Sequence, residues 1–166
     1  MWLYLLLLVF GIGARLIPHV PNFSPLAAFA LFAAAYAPHK KGGILLPLGM
    51  YVISDMMLGL HGAVLFTWGS AALIYLIGTR LRGRISTGRI AGYTLGSSLL
   101  FYLVTNFGVW MIGWYPHTVN GLLTCYVRAL PFLRISLTAN LIYAGVAFGA
   151  YEWTRARKSM PVPHCS

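Results

Sequence analysis

Only two acidic side chains, Asp55 and Glu152, stand among 166 residues that carry twelve Lys and Arg. Asp55 lies within an apolar run, where an ionisable group is costly to bury and marks a functional or pairing role. Tyr51, Asp55 and Gly59 recur at four-residue spacing and share one helix face. The carboxylate can accept a hydrogen bond from a ligand, carry a proton, or pair with an arginine on the same side of the membrane. Arg128 and Arg134 are the expected partners, and His61 shares its rim. A second polar face comprises Tyr102, Asn106, Trp110 and Gly113; a third comprises Ser136, Asn140 and Tyr143. An amide inside a membrane helix must find a partner. For Asn106 and Asn140 that partner is either the other amide or a bound molecule. Trp110, Trp114 and Tyr126 offer rings on which a ring-containing ligand can stack. Asn22 or Ser24 precedes Pro25 as a helix cap, and Asn22 is also a candidate contact to the same ligand.

The catalytic signatures are absent. The sequence has no Walker loop, GxSxG elbow, HExxH or paired carboxylates. The two cysteines, Cys125 and Cys165, form no CxxC or Cys/His metal spacing. No resident metal or cofactor is expected. Cys125 is an ordinary thiol, or a ligand to a metal-containing compound entering from outside.

The elements that must position these groups follow from composition. Apolar residues make up 59% and charged residues 8%, where soluble chains carry about 25% charged; mean hydropathy is +0.76. These values describe a polytopic membrane protein and exclude disordered, collagenous and disulfide-rich secreted classes. A span needs about 20 apolar residues, and six fit the length. They run over Met1–Leu16, Pro25–Tyr36, Ile44–Leu60, Ala63–Ile77, Ile90–Ile112 and Phe132–Trp153. The expected fold is an all-α, compact bundle of six transmembrane helices in a single domain, residues 1–158. Residues 159–166 are expected to form a disordered cytoplasmic tail. The first span lacks the basic n-region and cleavage site of a signal peptide, so it reads as a membrane helix.

Charge sets the orientation. Nine basic residues fall on one side: Lys40, Lys41, Arg80, Arg82, Arg84, Arg89, Arg155, Arg157 and Lys158. The other side holds three, Arg15, Arg128 and Arg134. By the positive-inside rule both termini are cytoplasmic, with the bilayer, not nucleic acid, as the basic residues' partner. The cysteines then lie on opposite faces. The connection Gly113–Pro131 is the longest, and long loops are often functional. It reads as a lid over a pocket in the outer half, walled by spans three, five and six; the plainer reading is an interfacial segment with Trp114 and Tyr115 in an aromatic belt. Ala30/Ala34 and Ala33/Ala37 form small-residue pairs in span two, for internal packing or for docking a partner subunit.

Three stretches carry a family resemblance. They are Pro21–Ala28 with Phe32–Tyr36; Leu46-Pro47 with Ser54–His61; and Thr105–Trp110 with Tyr115-Pro116, Gly121-Leu122 and Ala129–Phe132. Together they resemble an uncharacterised bacterial family of six-span proteins. That family is similar to the substrate-binding S components of energy-coupling-factor (ECF) vitamin transporters. The resemblance implies a six-helix fold in the bacterial inner membrane and a pocket open to the outside. It also implies a vitamin or vitamin-precursor ligand, such as a cobalamin-like compound, and a coupling subunit with ATPases as partner. The first span lacks an AxxxA pair for docking such a subunit, which makes a solitary carrier a fair option.

Uptake of a small organic nutrient by a non-enzymatic binding protein is therefore the leading expectation. The expected site comprises Asn22, Asp55, His61, Asn106, Trp110, Trp114, Tyr126, Arg128, Arg134 and Asn140. An envelope structural or assembly protein is one alternative, which predicts no outer cavity. An intramembrane lipid-modifying enzyme is the other, with Asp55 and His61 as acid and base.

Overall fold

A computed structural model describes residues 2–17, 23–37 and 42–158. Among them are six α-helices and no strand: α1 (Trp2–Leu16), α2 (Leu26–Tyr36), α3 (Leu45–Leu58), α4 (Val64–Gly78), α5 (Thr87–Met111) and α6 (Val119–Lys158). A single 3-10 turn, Thr79–Leu81, follows α4. Asn22, Lys40, Lys41 and the tail 159–166 lie outside the described residues. Three stretches are long and apolar enough to cross a membrane: Val64–Leu81, Thr87–Met111 and Val119–Arg157. The other three helices, of 15, 11 and 14 residues, are shorter than the roughly 20 residues a span needs.

The helices alternate in direction. At one end Tyr36, closing α2, donates to Glu152 near the end of α6. Arg82, just after α4, donates from Nε to the Ala34 carbonyl at 2.8 Å, and Arg89 at the start of α5 donates to Arg84 O. This basic end gathers Arg80, Arg82, Arg84, Arg89, Arg155, Arg157 and Lys158. At the opposite end the last turns of α1 and α3 join through Arg15 and Asp55. The end of α5 meets the start of α6 there through Trp110 and His117.

α2 is the hub. Leu26 to Ala35 are all buried, as expected of a helix that is apolar on every side. Its alanines let neighbours approach closely: a Cβ on Gly78 of α4 would sit 2.9 Å from Ala34. Ala30, Ala33 and Ala34 are fully enclosed, so these small residues serve internal packing and offer no docking face. Gly11 of the first helix is likewise taken up, against Met50 of α3. With 11 residues α2 extends about 16 Å, half a hydrocarbon core. Its first turn meets Asn140, which also bonds Ser98 at the middle of α5. The N-terminus of α2 therefore lies at mid-depth, while its C-terminus reaches the basic end.

The expected lid over Gly113–Pro131 is corrected. The irregular part is only the turn 112–118, and α6 begins at Val119 and continues through Pro131 for 40 residues. Thr118 caps it, accepting from Gly121 N–H at 3.1 Å. Gly121, which reads as a turn residue, lets the first turn of α6 lie against Pro116: a Cβ there would be 2.0 Å from the Pro116 carbonyl oxygen. Gly121→Ala is expected to cost about 1–3 kcal/mol through overpacking against backbone, read as a lowered midpoint of thermal unfolding in detergent. An unchanged midpoint would contradict this contact.

Pro131 has no N–H to offer the preceding turn, which permits a bend. Tyr126 of α6 bonds Leu103 of α5, and Asn140 bonds Ser98. These anchors lie about 21 Å apart along α6 but only about 8 Å apart along α5, at 1.5 Å per residue. The helices cannot run parallel between them. α6 takes the longer path, and the gap it leaves is part of the cavity described next.

Candidate functional site

A cavity of about 490 Å³ runs from mid-depth to the end opposite the basic cluster. Its floor is Leu26 and Ala27 in the first turn of α2, with Ser24 before them. One wall is Arg15 of α1 with Tyr51 and Leu58 of α3; His61 to Ala63 and Thr67 of α4 continue it. The facing wall is Phe101, Thr105, Asn106 and Val109 of α5, with Phe132, Ser136 and Asn140 of α6. Ile112 and Trp114 flank the mouth. Its size is that of a small-molecule site, with mostly apolar walls and a few polar anchors.

Asp55 is 1% exposed and pairs with Arg15 Nη1 at 2.7 Å. Trp68 Nε1 donates to its other oxygen at 2.8 Å. The expectation of an arginine partner at this end is right in kind and wrong in residue. Arg128 and Arg134 are both exposed on α6 and line no part of the cavity; their positions on the helix turn them outward. Arg15 also donates to Ser54 Oγ at 2.8 Å and places its guanidinium carbon 5.0 Å from the centre of the Tyr51 ring. The carboxylate thus does not contact the cavity itself: it holds Arg15, which does.

Of the other expected residues, His61, Asn106, Trp114 and Asn140 do line the cavity. Their roles differ from expectation. Asn106 donates to Tyr102 O of its own helix at 2.8 Å, so no Asn106–Asn140 bond forms. The Asn140 side chain accepts from Ala28 N–H at 3.3 Å and donates to Ser98 Oγ and Ser136 Oγ at 3.1 and 3.3 Å. It is a bolt between α2, α5 and α6 more than a free ligand contact. Trp110 lies outside the lining because its indole N–H donates to Pro116 O at 2.9 Å, pinning the turn before α6. Tyr126 is spent on Leu103 O. Cys125 is 2% exposed and its thiol faces Asn106 O, so no entering compound reaches it. Among the described residues no three His, Cys, Asp or Glu cluster as a metal site.

Sequence reasoning missed Arg15, Ser24, Tyr51, Thr67, Thr105 and Ser136 as lining residues. Arg15 was visible as the charge ending the first span and as one of three outer arginines, but not as the partner of Asp55. Tyr51 and Ser136 were placed on the polar faces of Asp55 and Asn140 but not assigned to the site. Thr67 and Thr105 carry no spacing signal, because Ser and Thr in membrane helices more often bond their own backbone, as these two do here.

No curated protein and no solved structure matches the chain. One family's sequence model covers residues 1–162, nearly the whole length. The chain belongs to that family, DUF6580, a family of unknown function.

Proposed function

We propose that this chain is a membrane-embedded protein that binds a small organic nutrient at its outer face for uptake. The observation that supports this best is the 490 Å³ cavity opening at the end opposite the basic cluster. Seven described basic residues crowd the far end, against Arg15, Arg128 and Arg134. The positive-inside rule makes the crowded end cytoplasmic, so the cavity faces out. On this reading all six alternating helices sit in the inner membrane of a bacterium with both termini inside, and α2 is shielded from lipid by its neighbours. The volume suits a vitamin-sized molecule. The chain has no Walker-type nucleotide-binding loop, so ATP-driven uptake requires a separate coupling module with ATPases. The resemblance to ECF S components favours such a module, whereas the first span's lack of an AxxxA pair favours a solitary carrier.

A structural envelope protein has no use for such a cavity. A lipid-modifying enzyme built on Asp55 and His61 is disfavoured because Asp55 is committed to Arg15 and Trp68, whereas His61 is exposed at the mouth. The reading is tested by purifying the protein in mild detergent and identifying co-purified small molecules by mass spectrometry. Val109→Trp and Ala129→Phe, which fill the cavity, serve as comparisons. A compound enriched with the wild-type protein and lost from both variants is expected. The same compounds with all three proteins would overturn the reading.

A further inference from the structure

We propose that the cavity takes a ligand bearing a carboxylate, seated where the N-terminus of α2, Ser24, Tyr51 and Arg15 converge, with its apolar body toward Phe101, Ile112 and Phe132. This rests on the reading of the cavity as a binding site and names the class of ligand that site accepts.

The two ends of α2 are treated differently. Its C-terminus, the negative end of the helix dipole, is covered by Arg82, whose Nε bonds Ala34 O. Its N-terminus has no side-chain cap at Pro25. Asn140 satisfies Ala28 N–H, and no described residue accepts from Leu26 or Ala27 N–H. A helix that begins at mid-depth and aims its unsatisfied N–H groups into a cavity suits an anionic group, as broken helices in transporters do.

Independent groups at the same corner agree. Ser24 Oγ is buried and has no hydrogen-bond partner, although Ser24 lines the cavity. Tyr51 is 4% exposed and also lines the cavity, and its hydroxyl bonds no described residue. Burying a hydroxyl unpaired is costly, so the retention of Ser24 Oγ here points to a partner supplied by the ligand, with the Tyr51 hydroxyl beside it as a second donor. Every one of these groups can donate. Arg15 adds a cation whose side chain is 18% exposed, held in place by Asp55 from behind.

The cavity contains no acid. Asp55 is not among its lining residues, and Glu152 is at the basic end, bonded to Tyr36. An ammonium ligand would meet donors and a guanidinium. A carboxylate would meet a half-positive helix end and up to four donors. A group of higher charge is a poorer match, because the single guanidinium is already half neutralised by Asp55.

The test uses the protein in nanodiscs and three probes that share one ring: indole-3-acetic acid, indole-3-acetamide and tryptamine. Equilibrium dialysis against empty nanodiscs and against Val109→Trp nanodiscs gives the blank. The acid should bind about tenfold tighter than the amide, and tryptamine no better than the blank. Ser24→Ala and Tyr51→Phe, which leave the Arg15–Asp55 pair intact, should each weaken the acid about tenfold and the amide by less than about twofold. Equal binding of the three probes, preference for tryptamine, or equal losses for acid and amide in the variants would overturn the carboxylate corner and leave the binding cavity standing. Binding of no probe above the Val109→Trp blank would instead sink the binding reading itself.

Discussion

Asp55→Ala is expected to lower the stability of the purified protein by about 3–5 kcal/mol, the cost of leaving one member of a buried ion pair alone. The carboxylate is 1% exposed and receives both Arg15 and the Trp68 indole. Removing it strands the guanidinium and the indole N–H together. The pair ties the last turn of α1 to α3, and Trp68 adds α4, so the loss should separate three helices at the cavity end. Arg15→Leu combined with Asp55→Leu removes both charges and should recover much of the stability, because replacing a buried pair with apolar groups is often near neutral. Probe binding should not recover, since the cavity cation is gone. Thermal unfolding in detergent beside dialysis separates the two effects. A double variant less stable than either single variant would contradict the pairing.

Asn140→Leu is the second large effect, at about 2–4 kcal/mol. The side chain is 2% exposed and makes three hydrogen bonds to three elements. Leucine keeps the bulk and leaves Ala28 N–H and Ser98 Oγ without that partner, each costing about 1–3 kcal/mol when buried. Ser98→Ala on its own removes one bond; in the Asn140→Leu background it should cost far less, and the difference reports the pair's coupling. Full additivity would show that the two side chains do not interact.

How much of this was legible in the sequence depends on whether the signal was local. The helix cores were readable because apolar runs and their breakers are local. Pro25 to Tyr36 was expected and Leu26–Tyr36 is found; Ile90 to Ile112 was expected and Thr87–Met111 is found. The start of α6 was misplaced because Gly121 and Pro131 carry the local marks of a turn. Here the first answers a close approach to Pro116, and the second sits inside a helix. Arg15 and Asp55 are 40 positions apart, and no spacing rule joins them; that contact follows from the packing of α1 on α3. Trp110 shares a helix face with Asn106, but its long side chain reaches forward to Pro116 instead. The central placement of α2 was half visible. Its all-round apolar pattern marks a buried helix, whereas its beginning at mid-depth is set by Asn140, more than a hundred residues away.

The most direct test of the central claim is an experimental density map of the wild-type protein in nanodiscs, prepared without added ligand and compared with Val109→Trp. The account predicts non-protein density between the first turn of α2 and Phe132, in contact with Arg15 and Ser24, and its absence from the variant. A cavity closed by the protein's own side chains, or filled by a lipid chain continuous with the bilayer, would contradict it.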